Sequence, residues 1–218
     1  MIKAVLCDLD GTMLDRDSSL KRFVTAQYDR LTEQLSHVPK QDYVDRFIEL
    51  DNHGYVWKDI VYQQLIEEFS ISSLTWEWLL ADYINHFPCY CIPFPGMMET
   101  VRKWKAEKLL IGIITNGKSG FQRANITALG LDPYMDVILV SEAEGMKKPE
   151  PGIFQRAVDA LCVSPETCVF LGDHPVNDIE GARNAGMQTA WKDDGRSKGV
   201  PADYIWKDWK ELRPIFHR

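Results

Sequence analysis

A chain of 218 residues, 45% of them hydrophobic, is long enough to bury a sizeable core, either as one large domain or as a core with a smaller companion. Its 32 acidic side chains outnumber 25 basic ones and no segment gathers Lys or Arg into a basic stripe, which argues against nucleic acid or an anionic membrane surface as a partner. Five cysteines without CxxC spacing and the lack of any apolar run of membrane-spanning length point to a cytoplasmic protein with no membrane partner.

The first expected element is the apolar run Ala4 to Cys7, a buried strand ending on Asp8-Leu9-Asp10-Gly11-Thr12. From about Arg16 to about Ile92 the apolar positions recur with helical spacing, as in Phe23, Gln27, Leu31 and Leu35, or Val61, Leu65, Ile66 and Phe69. This stretch reads as an all-helical insertion with Tyr55, Trp57, Trp76 and Trp78 in its core. Asp15 to Ser18 mark the way out, and Pro88, Pro93, Pro95 and Gly96 the way back, so that two linkers side by side form a hinge.

Beyond the insertion, Met97, Met98, Val101 and Trp104 predict a helix, Leu109 to Ile114 a second strand and Val137 to Val140 a third. Ile153, Phe154, Ala157, Val158 and Leu161 follow a Pro151-Gly152 helix start, and Cys168 to Leu171 and Thr189 to Trp191 supply two more strands. Trp206, Trp209, Ile215 and Phe216 read as a last helix docked on the sheet. Alternating strands and helices imply a doubly wound α/β core with a parallel sheet, formed by residues 1–15 and 93–218, with a helical cap at 16–92.

In an open α/β sheet, ligands bind outside the carboxyl ends of the strands. The residues there are Asp8 and Asp10; Thr115, Asn116 and Gly117; Ser141 and Glu142; and Gly172, Asp173 and His174, with Asp178 in the same GDHPVND string. Four carboxylates converging on one crevice require counter-charge, which Mg²⁺ and Lys148 both offer. Thr115-Asn116-Gly117 closes a strand before a helix, so its hydroxyl and backbone N–H groups suit an anion, and Lys148 adds a point charge suited to phosphate. His174 reads as a loop residue, because the other histidines give no ligand spacing around it.

DLDGT at 8 to 12, ITNG at 114 to 117, KKPEPGIF at 147 to 154 and GDHPVNDIEGARNAG at 172 to 186 resemble the four ordered motifs of the haloacid dehalogenase superfamily of hydrolases. The insertion resembles that family's type I cap, and the core its Rossmann-like fold. The resemblance implies that Asp8 is the nucleophile that forms an aspartyl-phosphate, and that Asp10 is first general acid and then general base. It implies that Mg²⁺ is held by Asp8, Asp173 and the Asp10 backbone carbonyl, with Asp178 acting through water. Thr115, Asn116, Gly117 and Lys148 match the phosphate-binding groups; Lys148 is preferred to Lys147 because the family's lysine directly precedes the proline. An acid at Asp10 favours phosphoryl chemistry, since a halide leaves without a proton. The expectation is a Mg²⁺-dependent phosphatase of a small phosphorylated metabolite, with substrate choice in the cap. A phosphomutase or dehalogenase on the same core, or a binding protein without turnover, are the alternatives. The metabolite and the oligomeric state are not specified by the sequence.

Overall fold

The computed structural model describes residues 1–212, so Ile215 and Phe216 lie outside the described residues. In chain order β1 (Ala4–Cys7) is followed by α1 (Arg16–Arg30), α2 (Thr32–Leu35), α3 (Lys40–Asp51), α4 (Lys58–Glu68) and α5 (Trp76–His86). Then come α6 (Met97–Ala106), β2 (Leu110–Thr115), α7 (Ser119–Ala128), β3 (Val137–Val140), α8 (Ser141–Glu144) and α9 (Pro151–Leu161). Next are β4 (Cys168–Gly172), α10 (Gly181–Asn184), β5 (Gln188–Lys192) and β6 (Tyr204–Trp206). Two compact units result: Met1–Asp15 with the chain from Pro93 onward, and Arg16–Ile92.

The first unit is built on a parallel sheet of order β3-β2-β1-β4-β5-β6. Its central strands are continuous apolar runs because helices cover both faces. In register, Leu6 stands between Gly112 on β2 and Phe170 on β4. Helix α9 presents Ile153, Phe154, Ala157, Val158 and Leu161 to a core that includes Ala4, Leu6, Ile114 and Phe170. Phe154 meets Phe170 edge-on with ring centroids 5.2 Å apart.

Around Trp206 and Trp209 the described residues differ from the expected docked helix. Trp206 closes strand β6, and Trp209 begins a separate 3₁₀ turn, Trp209–Leu212. Three residues are too few to display a strand period, and β6 is fixed by partners distant in sequence. The Asp203 carboxylate accepts from the Thr189 backbone N–H at 2.8 Å and its hydroxyl at 3.0 Å, and the Trp206 indole donates to the Ala190 carbonyl at 3.2 Å. Trp209 packs on Trp206 and Trp104, and its indole donates to the Thr12 carbonyl at 3.1 Å. The two chain crossings also pair within this unit: Leu14 bridges Pro93, and the Phe94 N–H donates to the Met13 carbonyl at 3.0 Å. Lys192 secures the same corner, its ammonium 3.3 Å from the Phe94 ring centroid and 2.8 Å from the Gly11 carbonyl.

The second unit is helical throughout, with Phe23, Tyr43, Phe47, Tyr62, Leu65, Leu79 and Phe87 in its interior. Tyr55, Trp57 and Trp78 are exposed and Trp76 is half-buried, contrary to the expectation that they form this core. Helix α5 buries the face of Leu79, Asp82 and Tyr83, which leaves Trp78 off that face and Trp76, seven residues before Tyr83, at its edge; Tyr55 and Trp57 precede α4 in a loop. That loop carries three successive residues of positive φ, Asn52, His53 and Gly54. Asp51 holds it: its carboxylate takes both Arg16 guanidinium nitrogens at 2.8 Å, the Gly54 N–H at 2.9 Å and the buried Lys58 ammonium. Burial raises the Asp51 carboxyl, but Arg16 and Lys58 outweigh it and hold the group below the usual carboxylate range.

Among the described residues no helix is long and apolar enough to cross a membrane. Replacing Asp51 by Ala removes the carboxylate that pairs with the buried Lys58 ammonium and with Arg16. The expected cost is about 3–5 kcal/mol, measured as a lower urea midpoint for the transition of the helical unit.

Candidate active site

Strand β1 lies between β2 and β4, where the order of connection reverses, and the crevice at such a point is where α/β sheets bind ligands. Asp8 follows β1 and Asp173 follows β4 on the neighbouring strand. Asp178 is supplied by a π-helical turn, Pro175–Glu180, a rare geometry that re-aims side chains. One carboxylate oxygen from each of these three residues lies within 4.8 Å of the others. Lys148, in the loop before α9, is 3% exposed and donates to Asp8 Oδ1 at 2.5 Å and to Asp178 Oδ1 at 2.6 Å. Lys147 beside it is exposed.

The backbone is cut to fit these groups. Gly172 ends β4 because a Cβ there would lie 2.4 Å from the Asp178 carboxylate carbon. Gly11 turns the first loop at φ +81, and a Cβ would come within 2.5 Å of Asp173 Oδ2. The Asn116 amide does not point at an anion: it donates to the Lys148 carbonyl at 3.0 Å and accepts the Lys148 N–H at 2.9 Å, bracing the lysine's backbone. The Gly117 N–H donates to the Ser141 hydroxyl at 2.9 Å. His174 is a cap: its Nδ1 accepts the Val176 and Asn177 N–H groups at 3.1 and 3.0 Å, which gives the ring a structural task at the start of the π-turn.

Burial governs the electrostatics. It pushes the Asp8 carboxyl well up; Lys148 pulls back, and Asp178 and Asp173 add to the rise. Asp173 is pushed up to about 7, by burial first and Asp178 second, against the pull of Arg196, Lys148 and Lys192. Lys148 moves upward despite its burial, because two carboxylates hold the ammonium charged. Three clustered carboxylates, those of Asp8 and Asp178 buried and that of Asp173 half-buried, with oxygen as the only donor type, fit a hard divalent cation.

Residues 5–192 match the family model described as haloacid dehalogenase-like hydrolase. The chain belongs to this family. Glyceraldehyde 3-phosphate phosphatase of Pyrococcus furiosus is 29% identical over an alignment covering 100% of this chain and 94% of the relative. Phosphoserine phosphatase of Thermus thermophilus is 37% identical over 47% of this chain and 41% of its own length. The magnesium-bound HAD hydrolase YfnB of Bacillus subtilis shares the fold with a TM-score of 0.79 at 22% identity, over 100% of this chain and 99% of that one.

Two residues of this hydrolase escaped the motif reading. Gln122 on α7 donates to Asp10 Oδ2 at 2.7 Å and to Thr115 Oγ1 at 2.6 Å. A glutamine beside an arginine on a helix looks solvated in sequence; only Gly117, which makes room for it, hints otherwise. Arg196 donates to Asp173 Oδ2 at 3.1 Å from the loop after β5, where inspecting every strand end would have reached it.

Because the folded Asp173 carboxyl is raised, the stability it contributes is fully present below the unfolded value of about 4 and is lost as pH rises through about 7. With divalent cations chelated, the melting temperature of wild type relative to Asp173→Asn should therefore fall across that window, as read by scanning calorimetry.

Proposed function

We propose that the chain is a Mg²⁺-dependent phosphatase that releases phosphate from a small phosphorylated metabolite through an aspartyl-phosphate on Asp8. The observation that carries the reading is the convergence of Asp8, Asp173 and Asp178 around Lys148, with Asp10 two residues beyond Asp8. An oxygen of Asp8 attacks phosphorus, and the bond to the leaving oxygen breaks as Asp10 gives that oxygen a proton. Asp10, now a carboxylate, takes a proton from water; the water oxygen attacks phosphorus and the bond to Asp8 breaks, freeing phosphate and restoring both groups. Lys148 offsets negative charge on Asp8 throughout.

Asp8, Asp173 and the Asp10 backbone carbonyl would hold the cation, with Asp178 beside them; when bound it supplies positive charge that favours ionised Asp8 and attracts phosphate. The Thr115 hydroxyl suits a phosphate oxygen. With the Asn116 side chain committed to Lys148, that residue is left to contribute through its backbone. The helical unit, Arg16–Ile92, is the proposed source of substrate choice. Relatives named for glyceraldehyde 3-phosphate and phosphoserine support a small phosphate monoester as substrate.

Phosphate release from a panel of sugar, triose and amino-acid phosphates should require Mg²⁺, cease with EDTA, and fall at least about 10³-fold in Asp8→Asn. Release indifferent to both changes would overturn the reading, and conversion to an isomeric phosphate without release would make the chain a mutase.

A further inference from the structure

Gln122 is 2% exposed, and its side chain is the link between two groups of the site. Its Nε2 donates to Asp10 Oδ2 at 2.7 Å and Thr115 Oγ1 at 2.6 Å and lies 3.4 Å from the Asn116 carbonyl oxygen. A carboxylate and a carbonyl only accept, so the amino end of the amide must face them. The opposite end agrees, for Oε1 faces the Asn125 amide nitrogen at 3.4 Å. Packing fixes the side chain as well: a Cβ on Gly117 would come 2.9 Å from Gln122 Cγ. Both ends of this amide and its stem are therefore constrained.

We propose that Gln122 is a positioning residue that holds the Asp10 carboxyl in the orientation for proton transfer to the leaving oxygen. This rests on the phosphatase reading above and deepens it. An amide hydrogen on Oδ2 makes that oxygen an acceptor, so the proton Asp10 delivers is carried on Oδ1. The second hydrogen goes to Thr115 Oγ1, which leaves the threonine's own hydrogen to be donated elsewhere, toward a phosphate oxygen. Anchoring on Thr115, at the end of a central strand, ties the Asp10 carboxyl to the sheet as well as to its own turn. Misplacement of a catalytic group by about 1 Å costs on the order of 10²-fold, so such a brace has measurable weight.

The test compares kcat/KM of wild type, Gln122→Met, Gln122→Glu and Asp8→Asn at saturating Mg²⁺ with two substrates. Glycerol phosphate has an alkoxide leaving group that needs the proton, whereas p-nitrophenyl phosphate does not. Met keeps the volume without a donor, and Glu keeps the shape while turning the donor into an acceptor; variants whose melting temperature stays near wild type are compared. The expected result is a loss at least about 10-fold greater for glycerol phosphate than for p-nitrophenyl phosphate in either Gln122 variant. Equal losses on the two substrates, or none, overturn the proposal while leaving the phosphatase reading intact. A wild type no more active than Asp8→Asn overturns both.

Discussion

An ammonium buried between two carboxylates is the constraint on which the core depends. Lys148 lies 2.5 Å from Asp8 and 2.6 Å from Asp178, out of water. Burying such charges is costly unless their geometry is met, and the surroundings are arranged accordingly. The adjacency of β1 and β4 brings two of the strand ends together, the π-turn delivers Asp178, and Asn116 pins the lysine's backbone in both directions. Glycine at 172 is the space that Asp178 occupies. Stability and the proposed chemistry thus draw on the same contacts, since the groups that would be least tolerable unpaired are those best suited to hold a cation and a phosphate.

Much of this was legible because it depends on local pattern. Four strands of a covered parallel sheet, β1 to β4, are largely apolar runs, and in such a sheet the residue after each run is where chemistry collects. That logic points to Asp8, Thr115 and Asp173 from the sequence alone. What stayed hidden depends on distant partners. β6 exists because Asp203 and Trp206 bond to β5, not because Tyr204–Trp206 has a period of its own. The aromatics of the helical unit misled because helical spacing shows that a face exists without showing which face is buried. Gln122 was hidden for a related reason: its partners lie at two different strand ends, and a polar helix residue carries no local sign of them.

The carboxylate cluster and the ion cluster of the helical unit solve similar problems with opposite balances. Asp51 is one carboxylate facing two cations that outweigh its burial, and its acidity is strengthened; for Asp8 and Asp173 burial, with neighbouring carboxylates added, outweighs the cations, and theirs is weakened. The first is a closed structural unit that fixes a loop of left-handed residues. The second is the cluster proposed above to hold a cation.

The paired crossings of the chain bear on how such a protein can change over generations. Leu14 and Pro93 are neighbours, Phe94 bonds back to Met13, and Lys192 ties that corner to Gly11. To the core, everything from Arg16 to Ile92 is a single hairpin loop whose ends already meet. Closure entropy grows only slowly with loop length, so the insertion can be lengthened, shortened or exchanged for another at little cost to the sheet. Recombination at this doorway would exchange one helical unit for another without disturbing the contacts among Asp8, Lys148 and Asp178.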